Sequence, residues 1–510
     1  MKRFLKKHAP KIRGVISCFD RLLFKGYLPI GWAGAMEHFM HQQGLLVKDF
    51  KRFVQQASDC VKEHAKGIAH KARRPYIHLT GPIRKEQKAR EIATRDGITK
   101  GLICVFAAVE ACQSFKMVYG EGRPRLINAR RKCLCLYFYF IDRELGFMHL
   151  RLQSWFPFTV QVCLNGHDWL ARKLHDRGIP FQQRDNAFLN IGDFAKAQSF
   201  AHRFARKNWP RILSAFARRA NPLMNDLLKG KTYYWITEQA EFATDVLFKN
   251  PASLTPLYEK LARHATVCFG AEDVLTFLGR KLHGNFQGEV LTHYKKRWPG
   301  LRVKHTIQHN GIKMYDKHGC VLRVETVINR PYPFKVRRWG KRGGRLVLGW
   351  FPMAKRVSNL PRYAEVSFAA NQRYLDALAV IEDPSAARES LRRLTQPLRH
   401  NGRSYRGFNP ASEDDLRLFA ALLRGEHILS GLRNRDLRCH LFAPSTQPSD
   451  LRRHSAAVSR VLKRLHLRNL IAKIPRSRRW RLSPLGHTVL SSALTLYHEI
   501  YPQTFMKQAA

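Results

Sequence analysis

Acidic residues are scarce in this sequence, and that scarcity is its most informative feature. The 510 residues include 38 Asp and Glu against 90 Lys and Arg, which gives a formal net charge of +52. Solubility alone usually needs a net charge of only about 2–8 for a small domain. A surplus of this size opposes compaction unless a polyanion supplies the opposite charge. The charge balance therefore favours nucleic acid or a membrane surface as the partner.

Membrane signals are missing as well. No stretch approaches the roughly 20 apolar residues that span a bilayer, and the longest apolar run is Cys133–Ile141. The basic start, MKRFLKKHAP, lacks the apolar segment of a secretory signal. We therefore expect no membrane partner and a cytoplasmic, nucleoid-associated location.

Paired cysteines and the common catalytic signatures are also absent. The ten cysteines are scattered and form no CxxC motif, which argues against a zinc ribbon or a disulfide scaffold. The sequence contains no Walker loop, no GxGxxG after a strand, no HExxH and no GxSxG. Buried, reduced thiols and a function outside those enzyme classes are the expectation.

The sequence does contain enough hydrophobic residues, 45% of the chain, to form hydrophobic cores. The hydropathy pattern predicts an α+β protein whose N-terminal body has a meandering antiparallel sheet. One stretch, Val15–Tyr27, is predicted to be a strand or a hairpin, and it carries Asp20 and Arg21 in an otherwise apolar run. The predicted divisions are an α+β sheet domain over 1–192, a helical region over 193–300, a basic β-hairpin plus helix over 301–383, an Arg/Gly/Ser/Pro-rich linker over 384–411 and a winged-helix domain over 412–510.

The winged-helix prediction rests on the order of elements near the C-terminus. Ser412 is a candidate N-cap, a second helix follows over Asn434–Phe442, and a third begins at Asp450. Two short strands around a basic turn then precede a closing helix. The stretch SRVLKRLHLRNLIAKIPRSRRWRLSPLGHTVL, from Ser459, resembles bacterial winged-helix regulators of the MarR-like type. The resemblance covers about the last hundred residues and lacks that family's dimerisation helix pair.

The resemblance implies that the third helix enters the major groove and that the wing reaches an adjacent groove or the phosphates. Clustered Arg favours nucleic acid over the alternative, a protein-contact module. The predicted nucleic-acid-binding residues are Arg452, Arg453, Arg460, Lys463 and Arg464 on the helix, with Arg476, Arg478, Arg479 and Arg481 on the wing.

Two further stretches are candidate nucleic-acid contacts. The first is a Gly-rich basic loop around Trp339, which supplies Arg337, Arg338, Lys341 and Arg342. The second is the strand Met148–Gln153, where Arg151 lies on the polar face near the aromatic side chains of Tyr137 and Tyr139. An ordinary half-solvated strand is the alternative for the second stretch.

A hairpin within 311–329 is a candidate catalytic element. A three-residue loop, Lys317-His318-Gly319, with Gly319 left-handed, would place Lys313, Tyr315, Arg323 and Glu325 on one face. Tyr315 could then attack a phosphodiester while Glu325 helps to hold a metal, and Lys313 and Arg323 would contact nucleic acid. The string "KMYDK…LRVET" is similar to strings in rolling-circle replication initiators, although the His-x-His pair of most such enzymes is absent. Cross-strand salt bridging is the alternative.

Clustered carboxylates suggest a metal site. Glu238, Glu241 and Asp245 have the spacings of 3 and 4 that share one helix face. Hard cations such as Mg²⁺ or Mn²⁺ prefer oxygen ligands and assist phosphodiester hydrolysis. A solvated acidic face that pairs with nearby Arg is the alternative.

Together these features predict a nucleic-acid-binding protein, with DNA favoured over RNA. Simple winged-helix regulators are much shorter, so the extra length suggests a mobile-element role in replication, recombination or transposition. Metal-dependent phosphodiester cleavage or strand transfer, non-catalytic RNA binding and transcriptional regulation stay open. The whole chain also resembles an uncharacterised bacterial family, which implies no function. The oligomeric state is unknown from the sequence.

Overall fold

The computed structural model describes residues 1–120, 122–281, 289–297, 300–381, 384–475 and 477–509. The protein is α+β, with a large and mostly antiparallel sheet. None of the helices in the described residues has the length and apolar character needed to cross a membrane.

The strands and helices are numbered along the chain. The strands are β1 Ile12–Tyr27, β2 Tyr76–Leu79, β3 Gly101–Gly120, β4 Arg123–Asp142, β5 Gly146–Gln153, β6 Val160–Asn165, β7 Phe181–Arg184, β8 Ala187–Ile191, β9 Tyr234–Phe248, β10 Val290–Arg297, β11 Gly300–Ile307, β12 Asn310–Lys317, β13 Val321–Ile328, β14 Lys335–Arg342, β15 Arg345–Pro352, β16 Leu398–His400, β17 Arg403–Tyr405, β18 Ile471–Lys473 and β19 Trp480–Leu482. The α-helices are α1 Lys2–His8, α2 Ala33–Gln42, α3 Phe50–Lys71, α4 Lys85–Arg95, α5 Gly166–Asp176, α6 Phe194–Phe204, α7 Trp209–Ala220, α8 Pro251–Val267, α9 Ala271–Phe277, α10 Leu360–Leu378, α11 Pro384–Thr395, α12 Glu413–Leu422, α13 Gly425–Ser430, α14 Asn434–Leu441, α15 Pro448–Leu467, α16 Pro484–Thr495 and α17 Tyr501–Ala509.

The chain forms two compact units. The first unit comprises Arg13–Leu247 and Glu325–Phe368, and the second comprises Met1–Ile12, Phe248–Val324 and Ala369–Ala510. Strand β13 starts in the second unit and ends in the first.

The first unit is built on a sheet in which β9 and β1 are neighbours. From Glu325 onward β13 borders β9, and the order continues β9-β1-β6-β5-β4-β3-β2. The long β3–β4 ribbon is antiparallel, whereas β2 joins β3 in parallel. Aromatic side chains fill the core around β1. The ring centres of Phe24 and Trp209 lie 5.1 Å apart, and so do those of Phe19 and Phe242. Because β9 is buried along most of its length, its polar side chains lie in a largely dry environment.

The second unit contains β10–β12 with the start of β13, and it contains the C-terminal elements. Three helices, α12, α14 and α15, precede the β18–β19 hairpin and then α16, with the short α13 inserted after α12. Their shared core includes the ring of Phe419, together with Leu437, Leu465 and Leu490. An isolated bridge between residues 432 and 480 borders the hairpin.

Two regions differ from their predictions. The region 193–300 contains the helices α6–α9 but also the strands β9 and β10; residues 282–288 and 298–299 lie outside the described residues. The stretch 384–411 is not a structureless linker, because it contains α11 and the β16–β17 hairpin. Leu394 and Phe408 from this stretch are buried in the C-terminal core, and that burial orders it.

The basic segment around Trp339 also differs from its prediction. It is not a loop but the antiparallel hairpin β14–β15, turned by Gly343 and Gly344, both with positive φ. In the hairpin at 311–329, Gly319 is left-handed as predicted, with φ 72°. Its connection is His318-Gly319-Cys320 rather than Lys317-His318-Gly319, because Lys317 still belongs to β12.

Candidate metal centre and nucleic-acid surfaces

Three carboxylates from neighbouring strands meet in the first unit. Asp20 lies on β1, Glu241 on β9 and Glu325 on β13, and one oxygen from each lies within 4.8 Å of the others. Their residues are 7%, 9% and 0% exposed, respectively. Carboxylates held this close in a poorly solvated place repel one another unless a cation or a proton compensates them. Oxygen ligands of this kind are those that Mg²⁺ and Mn²⁺ prefer.

A small cavity gives access to this carboxylate group. Its volume is about 200 Å³, and Asp20 and Glu241 line it together with Arg21, Arg90 and His149. Burial, and then the positive charge of Arg21, lower the pKa of His149 to about 3. His149 is therefore neutral near pH 7, and the two arginines supply positive charge beside the carboxylates. The cavity thus combines candidate metal ligands with cations that suit a phosphate group.

Polar side chains hold Asp20 in place. The side-chain amides of Asn165 and Asn186 donate hydrogen bonds to Asp20 Oδ1, at 3.1 and 2.6 Å. His167 lies between two acids, with Nδ1 3.1 Å from Asp20 Oδ1 and Nε2 3.3 Å from Asp245 Oδ2. Both His167 and Asp245 are almost fully buried. This arrangement fixes the direction in which the Asp20 carboxylate points.

The local sequence explains how His167 reaches this position. Strand β6 ends at Asn165, whose side chain caps α5 by accepting a hydrogen bond from the His167 backbone N–H at 2.8 Å. Gly166 lies between them, where an added Cβ would approach the Phe19 carbonyl oxygen to 2.2 Å. A glycine is therefore required for the strand to turn into the helix beside β1.

The three carboxylates that were predicted to form one acidic face do not all lie on the same side of their element. The prediction placed Glu238, Glu241 and Asp245 on one helix face, but the segment is the strand β9. Side chains alternate along a strand, so Glu241 and Asp245 share a face and Glu238 points to the other. Glu238 instead forms an ion pair with Lys355 at 3.1 Å. Asp245 contacts His167, and Glu241 joins the carboxylate group.

The predicted catalytic hairpin is divided between the two units. Glu325 belongs to the carboxylate group of the first unit. Tyr315 and Lys313 lie half-buried on β12 in the second unit, where they pair with Arg302 and Lys304 of β11. Arg323 is 0% exposed, so its predicted role as a surface contact to nucleic acid is wrong.

The predicted nucleic-acid surface on β5 is also wrong. Arg151 is buried, and its guanidinium bonds Glu110 Oε2 at 3.0 Å and Cys135 Sγ at 2.9 Å. Tyr137 and Tyr139 are buried as well. Their rings are packed in a core that α4 helps to form, so they cannot stack on bases.

The Arg and Lys residues that were predicted to contact nucleic acid near the C-terminus differ in their exposure. Arg452, Arg453, Arg460, Lys463 and Arg478 are exposed, and Arg479 is half-buried. Arg476 lies outside the described residues.

Two of the predicted contacts instead hold the second unit together. Arg464 donates to the Gly407 carbonyl at 2.7 Å, and its guanidinium carbon lies 4.1 Å from the centre of the Phe408 ring. Arg481 pairs with Glu272 at 3.0 Å. These contacts are formed within the protein, and both side chains are also partly exposed, so their contact with nucleic acid stays a prediction.

The β14–β15 hairpin carries the other exposed cations. Arg337 and Lys341 lie on one face of the ribbon, and Arg338 and Arg342 lie on the other, because their positions alternate. All four are exposed.

The sequence reasoning missed Asp20, His167 and the two asparagines. Asp20 did have a signal, since a carboxylate in the middle of an apolar strand is costly unless it is compensated. His167, Asn165 and Asn186 had none, because only the sheet order brings them to Asp20. No family model, curated protein or solved structure matches this chain.

Proposed function

We propose that this protein binds DNA and performs metal-dependent phosphodiester cleavage or strand transfer. The observation that carries the proposal is the buried carboxylate group of Asp20, Glu241 and Glu325. A divalent cation held there would stabilise the charge that develops on a phosphoryl oxygen. The nearby Arg21 and Arg90 would attract the phosphate, and the net charge of +52 would bring the polyanion to the surface.

The C-terminal elements support DNA as the substrate. Three main helices, a two-stranded hairpin and a closing helix follow in the order expected of a winged helix, and α15 carries exposed Arg452, Arg460 and Lys463. We infer that this segment positions the protein on duplex DNA. A winged-helix regulator without catalysis is the second candidate, favoured by this same segment and distinguished by the absence of cutting.

The test compares two substitutions on one strand. Glu241→Gln removes a carboxylate of the proposed centre, whereas Glu238→Gln, three residues away on the opposite face, is the matched control. Labelled plasmid and oligonucleotide DNA are incubated with each protein in Mn²⁺ or Mg²⁺. We expect the wild type and Glu238→Gln to cut or join DNA, and Glu241→Gln to lose at least about 100-fold in rate, the scale of a lost charge-stabilising group.

Metal binding is measured separately by calorimetry and by the melting temperature with and without Mn²⁺. A cation that binds the folded state raises the melting temperature of the wild type and of Glu238→Gln. Glu241→Gln should lose that increase, and without metal it should melt higher than the wild type because one repelling charge is gone. Equal Mn²⁺ binding by all three proteins would contradict the metal site, and Mn²⁺ binding without any DNA processing would favour the regulator.

A further inference from the structure

The β14–β15 hairpin presents two tryptophans to solvent. Trp339 pairs with Leu348, and Trp350 pairs with Arg337, so the side chains of these four residues share one face of the ribbon. Trp339 is 61% exposed and Trp350 is 51% exposed. Leu346, which pairs with Lys341, continues the same face. We call this surface the tryptophan face; it consists of Arg337, Trp339, Lys341, Leu346, Leu348 and Trp350.

Side chains on the opposite face of the hairpin pack on one another across the two strands, which supports the tryptophan face. The Phe351 ring lies across Gly340, where an added Cβ would approach the ring to 2.7 Å. The guanidinium carbon of Arg338 lies 4.8 Å from the centre of the Phe351 ring. On the tryptophan face, Arg362 of α10 lies 5.0 Å from the Trp350 ring and donates to the Lys335 carbonyl at 2.8 Å. The tryptophans are thus carried on a braced strand pair and not on a loose loop.

The charge of the hairpin identifies the kind of partner. Residues 335–352 contain six Lys and Arg and no Asp or Glu. A partner must therefore be anionic and must also offer flat apolar groups to the two indoles. Nucleotide bases joined by phosphates meet both requirements, because bases stack on aromatic rings while Arg and Lys follow the backbone.

We propose that the tryptophan face binds single-stranded DNA by stacking bases on Trp339 and Trp350, with Arg337 and Lys341 contacting phosphates. Bases within a duplex are stacked on each other and are not free for this contact. The choice of DNA over RNA comes from the proposed function, because Arg337 and Lys341 can donate hydrogen bonds to either backbone. The proposal rests on the proposed function for its nucleic-acid substrate, and it adds that the substrate is single-stranded where the hairpin meets it.

The experiment measures the fluorescence anisotropy of labelled oligothymidine of about 20 nucleotides, which exceeds the usual site size. EDTA is present, so that no metal-dependent reaction intervenes. Trp339→Ala and Trp350→Ala should each weaken binding about 10-fold, the scale of a lost base stack. Trp32→Ala is the matched control, since that tryptophan is 59% exposed but lies outside the hairpin. It should leave the affinity unchanged.

The outcomes separate this proposal from the proposed function. Glu241→Gln should bind oligothymidine as the wild type does, and the two tryptophan variants should still bind Mn²⁺. If wild-type affinity for oligothymidine persists in both tryptophan variants, the tryptophan face is not the site, whatever the metal centre does. If the two tryptophan substitutions weaken the binding of oligouridine or of duplex DNA more than that of oligothymidine, the assignment to single-stranded DNA is also overturned. If the wild type binds no nucleic acid at all, the proposed function fails together with this inference.

Discussion

Asp20 is a charged residue in a strand of apolar neighbours, and its surroundings define what it can do. Two asparagine amides and His167 contact a single oxygen, Oδ1, of this carboxylate. Groups that orient a metal ligand in this way commonly change metal affinity when they are altered. His167 is therefore a positioning residue in the proposed centre, and it also joins Asp20 to the buried Asp245.

We predict that His167→Asn weakens Mn²⁺ binding about 10- to 100-fold, because Asp20 loses a partner that fixes its direction. Calorimetric titration with Mn²⁺ measures the change, and urea unfolding reports the separate cost of altering a buried polar group. His175→Asn, on the exposed side of the same helix, is the control and should change neither value. Unchanged Mn²⁺ affinity in a folded His167→Asn protein would show that the histidine has only a structural role.

Strand β9 shows why an element can be predicted wrongly while its important residues are noticed. Helix and strand are distinguished by period, and a strand that is buried on both faces has no alternation of polar and apolar residues. The carboxylates Glu238, Glu241 and Asp245 added spacings of 3 and 4, which fit a helix. These carboxylates interrupt the apolar run of β9, so they obscure the pattern of the strand that carries them.

Gly340 supports the β14–β15 hairpin, and that role can be tested with a second glycine. An added Cβ at Gly340 would approach the Phe351 ring to 2.7 Å, whereas one at Gly349 would meet the same ring at 3.5 Å, an ordinary contact. Isolated two-stranded hairpins have little stability of their own, so a clash with their packing is poorly absorbed.

We predict that Gly340→Ala opens the hairpin and that Gly349→Ala does not. Limited trypsin digestion measures this, because the hairpin contains exposed Arg and Lys whose cleavage follows the population of the open form. Gly340→Ala should be cut between 335 and 345 at least about 5-fold faster, which corresponds to about 1 kcal/mol of overpacking. Similar cutting of both variants would mean that the Phe351–Gly340 contact does not hold the strands together.

At the scale of the whole molecule, the sheet order creates the candidate site. Asp20, Glu241 and Glu325 are far apart in the sequence, and each lies on a different strand. The α+β class and the basic character follow from composition and periodicity, and the sequence did single out Glu241 and Glu325. Their meeting with Asp20 depends on β13, β9 and β1 lying side by side, which is a non-local pairing that local patterns do not encode.

The large positive charge predicts that the affinity of the proposed nucleic-acid binding depends strongly on salt concentration. Each phosphate that a protein neutralises on single-stranded DNA releases counterions, so the logarithm of affinity falls with the logarithm of salt concentration by about 0.7 per contact. Base stacking contributes no such slope. The proposed site on the tryptophan face would make both kinds of contact, because Arg337 and Lys341 lie beside Trp339 and Trp350.

We predict that the double substitution Arg337→Gln and Lys341→Gln reduces the salt slope for oligothymidine by about 1.4, since two phosphate contacts are lost. Substituting the two tryptophans should instead weaken binding by a similar factor at every salt concentration and leave the slope unchanged. Anisotropy titrations over a range of NaCl concentrations measure both quantities. If the charge variants keep the wild-type slope, the phosphates lie elsewhere on this highly basic surface, and the tryptophan face would bind bases without following the backbone.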